Sequence, residues 1–287
     1  DWNVDRMIDR LGTDKFTSFC YGRPGEGNVW SKLFQPLYGL TEEEMDDPDF
    51  LYKKGRPPLA TFNADREPQL TYIHAYKLYT SGQFARFRRQ YHKVFKDHVR
   101  LQEKYQSELD EFRARHFEGK FVIAAHVKHP SHVIEQPDGK IAHVQAYIDK
   151  VRSQLNARGI DEHSSEWAVF LATDQDRVVD AFRAEFGDRM ACYSDVRRTT
   201  NAEDARYDQL TPEQRRAEGF QVQHLVAANQ ANWDARMAWE VIRDAMTMSY
   251  CHILLHIVSN VSTAVSYMNP DIELVFCSAD ELSKAGA

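Results

Sequence analysis

Long apolar stretches are missing from this chain. No run approaches the ~18 residues that a bilayer-crossing helix needs, so nothing in the sequence reads as a membrane span. An excess of positive charge is missing too. Lys and Arg number 36 against 43 Asp and Glu, a formal charge of −7, which argues against a surface built to grip a nucleic-acid backbone. The four cysteines, Cys20, Cys192, Cys251 and Cys277, are far apart and form no CxxC pair. A zinc cluster or a disulfide framework is therefore not expected, and the thiols read as buried groups of a reducing, cytoplasmic compartment. There is no GxGxxG and no P-loop, which removes the main support for dinucleotide and ATPase readings. Internal repeats and low-complexity tracts are absent, and the opening DWNVDRMIDRLGTDK does not read as a signal peptide.

What is present is enough apolar material for a sizeable core: 287 residues, 43% hydrophobic and 12% aromatic, a length that suits two modest domains or one large one. The pattern changes near residue 117. Before it strands are scarce. Residues 21–39 read as a structured loop leading into a short helix, 57–66 as one short strand, 68–80 as helix, and 94–116 as one long helix with Leu101, Tyr105, Leu109, Phe112 and His116 on a common stripe. After Gly119 strands and helices alternate. Strands are expected at 121–127, 166–173, 190–193, 252–258 and 272–277, and helices at 141–157, 175–186, 231–249 and 259–268, with 194–228 a long loop containing some helix. That rhythm predicts an α/β fold, a parallel sheet with helices on both faces, whose ligands bind beyond the carboxyl ends of the strands.

Three strand ends carry polar groups that invite chemistry. The first is His126, Lys128, His129 and His132, in FVIAAHVKHPSH. A cation there would face an anion held at the sheet edge, although a solvated loop has the same composition. Metal binding by the histidines is disfavoured, because Pro130 breaks any helix that would align them and no acidic ligand is expected nearby. The second is ATDQD at 172–176. Asp174 is expected to cap the following helix, and a rival reading makes Asp174 and Asp176 a divalent-metal site for a sugar nucleotide. The third is HIVSNVST at 256–263, where Ser259, Asn260, Ser262 and Thr263 open a helix. Its unpaired N–H groups and positive dipole end offer a phosphate site, with simple N-capping the plain alternative.

In this order the three pieces resemble the fucosyltransferase superfamily, which includes the alpha-1,6-fucosyltransferases of N-glycans, the rhizobial nodulation fucosyltransferases and the protein O-fucosyltransferases. The resemblance spans roughly 121–277, with a looser match at GEGNVW and the Phe-x-Pro that follows, within 21–36. It implies a GT-B-like architecture: a C-terminal Rossmann-like, nucleotide-sugar-binding domain over 117–287 and a smaller, more helical acceptor-side domain over 1–116. It implies an inverting glycosyltransferase that needs no metal and no cofactor. The donor would be GDP-fucose or another nucleotide sugar, and the acceptor a glycan or polypeptide hydroxyl.

Carried over by position, His126 and Asp244 would contact the nucleotide, and Asp174 falls in the family's second patch. Ser259, with Asn260 and Ser262, would hold the β-phosphate from the helix start. Lys128 stands where the family has Arg, and gives a point charge in place of a two-bonded fork. Arg197 and Arg198 are candidates for a second cation. Glu135 occupies the place of a general base in the N-glycan enzymes, and Glu26 of the GEG loop is the alternative. Trp30, Tyr21 and Tyr38 are candidates to stack on an acceptor sugar. Two other readings stay open: the metal-dependent transferase, and a non-catalytic glycan-binding or scaffold domain of a larger synthase.

Overall fold

The apolar run at 121–127 forms the centre of the molecule because it has no polar side to show to water. A computed structural model describes residues 25–37, 41, 82–135, 141–218, 235–257 and 259–277, the side chains at 82–84, 87, 134, 135 and 216–218 excepted. In it Phe121–Val127 is β1, flanked by β2 (Trp167–Thr173) and β4 (Ile253–His256), with β3 (Met190–Ala191) and β5 (Glu273–Phe276) at the edges. All pairings are parallel and the order is β3-β2-β1-β4-β5. The chain therefore reverses its direction of travel across the sheet between β1 and β4, which opens a crevice at their carboxyl ends.

Helices cover both faces, as central parallel strands require. On one face Ile123, Ala125, Val127, Val169, Leu171 and Leu255 pack against α4 (Val144–Asn156) and α5 (Asp176–Phe186), through Tyr147, Val151, Val178 and Phe182. On the other, Val122, Ala124, Phe170 and Leu254 meet α8 (Ala235–Ser249) and α9 (Asn260–Met268), through Ala245, Met248 and Val265. Two further helices, α6 (Asn201–Gln209) and α7 (Pro212–Glu218), lie in the segment expected to be mostly loop. A complete capping box starts α6: the Thr200 hydroxyl accepts from the Glu203 N–H, and Glu203 answers to the Thr200 N–H.

The described part of 1–116 is helical: α1 (Val29–Leu33), α2 (Gly82–His98) and α3 (Glu103–His116). The single helix expected over 94–116 is two. Between them Leu101 forms an antiparallel bridge with Phe34, the Gln35 N–H donates to Arg100 O (2.7 Å), and the Gln102 N–H donates to Leu33 O (2.8 Å). A ladder to a distant segment needs extended backbone, so the stripe continues while the helix does not. The strand expected at 57–66 and the helix at 68–80 lie outside the described residues, as do Cys20, Tyr21 and Tyr38. Among the described residues there is one five-stranded sheet; the second Rossmann-like unit of a GT-B pair would fall largely on residues outside the described set.

Two arginines tie the helical segment to the sheet. Arg243 of α8 is buried, with Tyr193 beneath its guanidinium (3.9 Å to the ring centroid). It reaches Glu108 of α3 and Asp195 after β3, the latter at 2.7 Å, and Glu108 also accepts from the Trp239 indole (3.1 Å). Arg88 of α2 closes the far end of α9, donating to the carbonyls of Ser266 (3.4 Å), Asn269 (3.3 Å) and Ile272 (2.7 Å). Ser266 lies in the last turn and Asn269 is the C-cap, where a helix leaves acceptors open, and Ile272 lies just beyond. No helix among the described residues is long and apolar enough to cross a membrane.

Candidate functional site

The strand register sets the site. His126 of β1 stands level with Ala172 of β2, and β4 ends beside them at His256. The three polar stretches read from the sequence therefore emerge at one sheet edge, and a cavity of about 350 Å³ opens there, a volume within the usual range of small-ligand sites. His126, Lys128, His132, Asp174, Asp244, Ser259 and Asn260 line it, together with Arg197, Glu240 and the apolar side chains of Val127, Val196, Met237, Val241 and Met248. Eight of the residues singled out in the sequence thus share one cavity, although they come from the ends of β1 and β2, the loop after β3, α8 and the start of α9.

His126 sits one residue before the end of β1. Burial, reinforced by the charge of Lys128, lowers its pKa to about 3, so the ring is neutral. Its Nδ1 is buried with no hydrogen-bond partner among the described residues. Lys128 follows the strand directly, and its Nζ lies 3.5 Å from His132 Nδ1. Arg197 is exposed at the cavity rim, its backbone N–H donating to Glu240 (3.1 Å). Arg198 is used differently. Its guanidinium donates to the carbonyls of Thr173 (3.2 Å), Val196 (3.3 Å) and Tyr193 (2.6 Å), and so fastens the loop after β3 to the end of β2.

Asp174 does not cap α5. Gln175 holds the N-cap position and makes no side-chain cap bond. One Asp174 oxygen accepts instead from the His129 N–H (2.8 Å), and the other lies 3.4 Å from His132 Nε2. Burial alone would raise this carboxyl, but the bond from His132 and the charges of His132 and His129 outweigh it and hold it below the usual range. Asp176 stands in the first turn of α5 and is not among the lining residues, so the structure does not bring the Asp174–Asp176 pair together on the cavity. Among the described residues no group of three His, Cys, Asp or Glu side chains is placed to hold a metal.

The expectation that no acid stands near the histidines is corrected here. Asp174 comes to His132 from the neighbouring strand, and Asp204 of α6 comes to His129, 3.2 Å from its Nε2, with both side chains buried. The Ser131 N–H donates to His129 Nδ1 (3.0 Å), which leaves the ring proton on Nε2, facing Asp204. Arg177 of α5 also contacts Asp204 (3.0 Å). His129 is thereby a buried strut between β1 and α6 and does not line the cavity.

At the third strand end both readings hold together. Ser259 is the N-cap of α9 and its hydroxyl accepts from the Ser262 N–H (3.0 Å), yet Ser259 and Asn260 also line the cavity. Ser262 is turned away. Its hydroxyl accepts from the Ser259 N–H (3.1 Å) and donates toward Ile257 O (3.2 Å), and it is fully buried in the cap. Asp244 faces the cavity from α8. Burial raises its pKa to about 7 against the pull of Arg243 and Arg198, with Glu240 and Asp195 adding to the rise. Burial thus opposes full negative charge on this carboxyl in a site meant for an anion.

The two base candidates are not brought into view equally. Glu26 is not among the lining residues; its carboxylate pairs with Lys32 at 3.3 Å. Glu135 ends a 3-10 helix, Pro130–Glu135, and its side chain lies outside the described residues. Trp30 stacks on Phe34 (4.4 Å between centroids), within the cluster of α1, α3 and α8. Sequence reasoning singled out His132 only as one of a cluster of histidines, and it did not single out Glu240. The alternation of His with polar residues after β1 was the available signal for His132, but its partner Asp174 is visible only once the strands are paired.

No family model matches the chain, and no curated protein matches it. Among solved structures it is similar to NodZ alpha-1,6-fucosyltransferase co-crystallised with GDP, with 13% identity over 88% of this chain and 79% of that one, at a TM-score of 0.43. It is similar in the same way to fucosyltransferase NodZ from Bradyrhizobium (14% identity, 88% and 79% covered, TM-score 0.44). With POFUT1 in its apo form it shares 11% identity over 69% of this chain and 51% of that one, at a TM-score of 0.38. Overlaps of this depth leave function to be argued from the site itself.

Proposed function

We propose that the chain is an inverting, metal-independent glycosyltransferase that holds a nucleoside-diphosphate sugar in the cavity at the carboxyl ends of β1, β2 and β4. One observation carries the reading: Lys128, Arg197 and the opening turn of α9 converge on a single cavity at the reversal of strand order. A diphosphate there would meet a point charge from β1 and free N–H groups and a positive dipole end from α9. Both act most strongly as negative charge gathers on the departing group. The neutral His126 ring and the Asp244 carboxyl supply hydrogen-bonding edges for a base. GDP-fucose is the first donor to test, because of the ordered motif resemblance over 121–277. In this reading residues 1–116 serve the acceptor, a glycan or polypeptide hydroxyl, and 117–287 the donor.

The test is calorimetry of the purified chain with GDP, UDP and ADP in the presence of EDTA, followed by a donor screen read by mass spectrometry. Binding of one nucleoside diphosphate and transfer of its sugar under EDTA is the expected result. Binding that vanishes with the chelator would favour the metal-dependent alternative. No binding to any nucleotide would leave a glycan-binding or scaffold domain.

A further inference from the structure

The proposed reaction needs a group that takes the proton of the attacking hydroxyl, and the described residues place one on the cavity wall that the motif resemblance does not mark. We propose that His132 is this general base, with Asp174 as the residue that positions it; the inference rests on the glycosyltransferase reading. His132 lines the cavity, with 11% of its side chain exposed. Its Nε2 lies 3.4 Å from Asp174 Oδ2, and the other Asp174 oxygen is fixed by the His129 N–H at 2.8 Å. A carboxylate so fixed can accept only a proton-bearing nitrogen, so Nε2 carries the hydrogen and Nδ1 keeps its lone pair. This is the orienting arrangement by which an acid makes an adjacent imidazole a base of defined tautomer.

Lys128 completes the arrangement. Its Nζ stands 3.5 Å from Nδ1, so without donor the ammonium faces the lone pair. A bound diphosphate competes for that ammonium. As Lys128 turns to the phosphate, Nδ1 is released to the acceptor. Among the described groups that face His132 are Lys128 from β1 and Asp174 from β2, with the neutral His126 ring close enough to feel the charge of a protonated His132. In the step itself the acceptor oxygen bonds to the anomeric carbon and its proton passes to Nδ1. The bond from that carbon to the diphosphate oxygen breaks, its electron pair leaving with the nucleotide. The imidazolium is countered by Asp174 and returns its proton to solvent. Contacts of 3.4 and 3.5 Å are loose, as catalytic hydrogen bonds commonly are before substrate tightens them.

The experiment uses the full chain with the donor found by the screen. His132→Gln should lower kcat by ~10²–10⁴-fold, the usual worth of a positioned base, while the Kd for GDP measured by calorimetry stays within about threefold of wild type. Wild-type kcat should fall toward low pH as the imidazole is protonated, and the residual turnover of the variant should lack that limb. Asp174→Asn is the second variant. It keeps an acceptor for the His129 N–H but presents an amide to Nε2, and should lose turnover with the donor still bound. Nucleotide binding and turnover both intact in His132→Gln overturn the proposal, as does loss confined to Glu135→Gln. Absence of nucleotide binding or of any transfer by wild type removes the reaction itself, and that outcome is told apart from the others by the wild-type control.

Discussion

Replacing Asp244 by Asn should stabilise the protein, and increasingly so as pH rises. Its carboxyl is held at about 7 in the fold, whereas an unfolded chain releases that proton near 4. The group therefore binds its proton more tightly when folded. That contribution is fully present below about pH 4 and is lost as pH climbs through about 7. Ionising it in place costs about 4 kcal/mol, at roughly 1.4 kcal/mol for each pH unit between the two values. An amide has nothing to ionise. Urea denaturation of wild type and Asp244→Asn at pH 5 and pH 8.5 isolates the effect, because every other titrating group is common to both proteins. The stability difference should move in favour of the variant by about 2–3 kcal/mol between those conditions, since part of the loss already lies below pH 5. A difference that stays flat, or moves in the opposite direction, would show that Arg243 and Arg198 keep the carboxylate charged and that burial does not dominate.

Other outcomes follow from the same contacts. Lys128→Ala should weaken GDP binding by roughly 10–100-fold, the worth of one charge-assisted contact, without moving the urea midpoint; unchanged affinity would take the phosphate away from this edge of the sheet. Arg243→Met should cost about 2–4 kcal/mol of stability, below the top of the range for a broken buried ion pair, because Glu108 and Asp195 can still reach water. A midpoint within error of wild type would mean that the pairing across α3, α8 and the loop after β3 contributes nothing net.

The sheet was legible because its central strands are buried on both faces. FVIAAHV and EWAVFLAT are almost wholly apolar and of strand length, as covered parallel strands are. The glycines that end α4 and α5 were equally readable: Gly159 and Gly187 both have positive φ, 66° and 54°. The break between α2 and α3 was not readable, since Leu101 leaves the helix for a partner at Phe34 that no local pattern announces. The site divides along the same line. Polar groups at strand ends could be listed from the chain, as could the start of α9. What each does could not. Asp174 has all the marks of a helix cap, yet serves a backbone N–H 45 positions away. His129 and His132 look alike in HPSH, yet one is a buried strut to Asp204 and the other faces the cavity. Those assignments depend on pairings that periodicity does not contain.

The grip of Arg88 on α9 has a mechanical consequence. At about 1.5 Å per residue, nine residues make a rod some 13 Å long. Its leading turn borders the cavity, and its trailing carbonyls are latched to α2. A stiff element of that length joins the place where a leaving nucleotide would rest to the amino-terminal helices, so the two are mechanically in series.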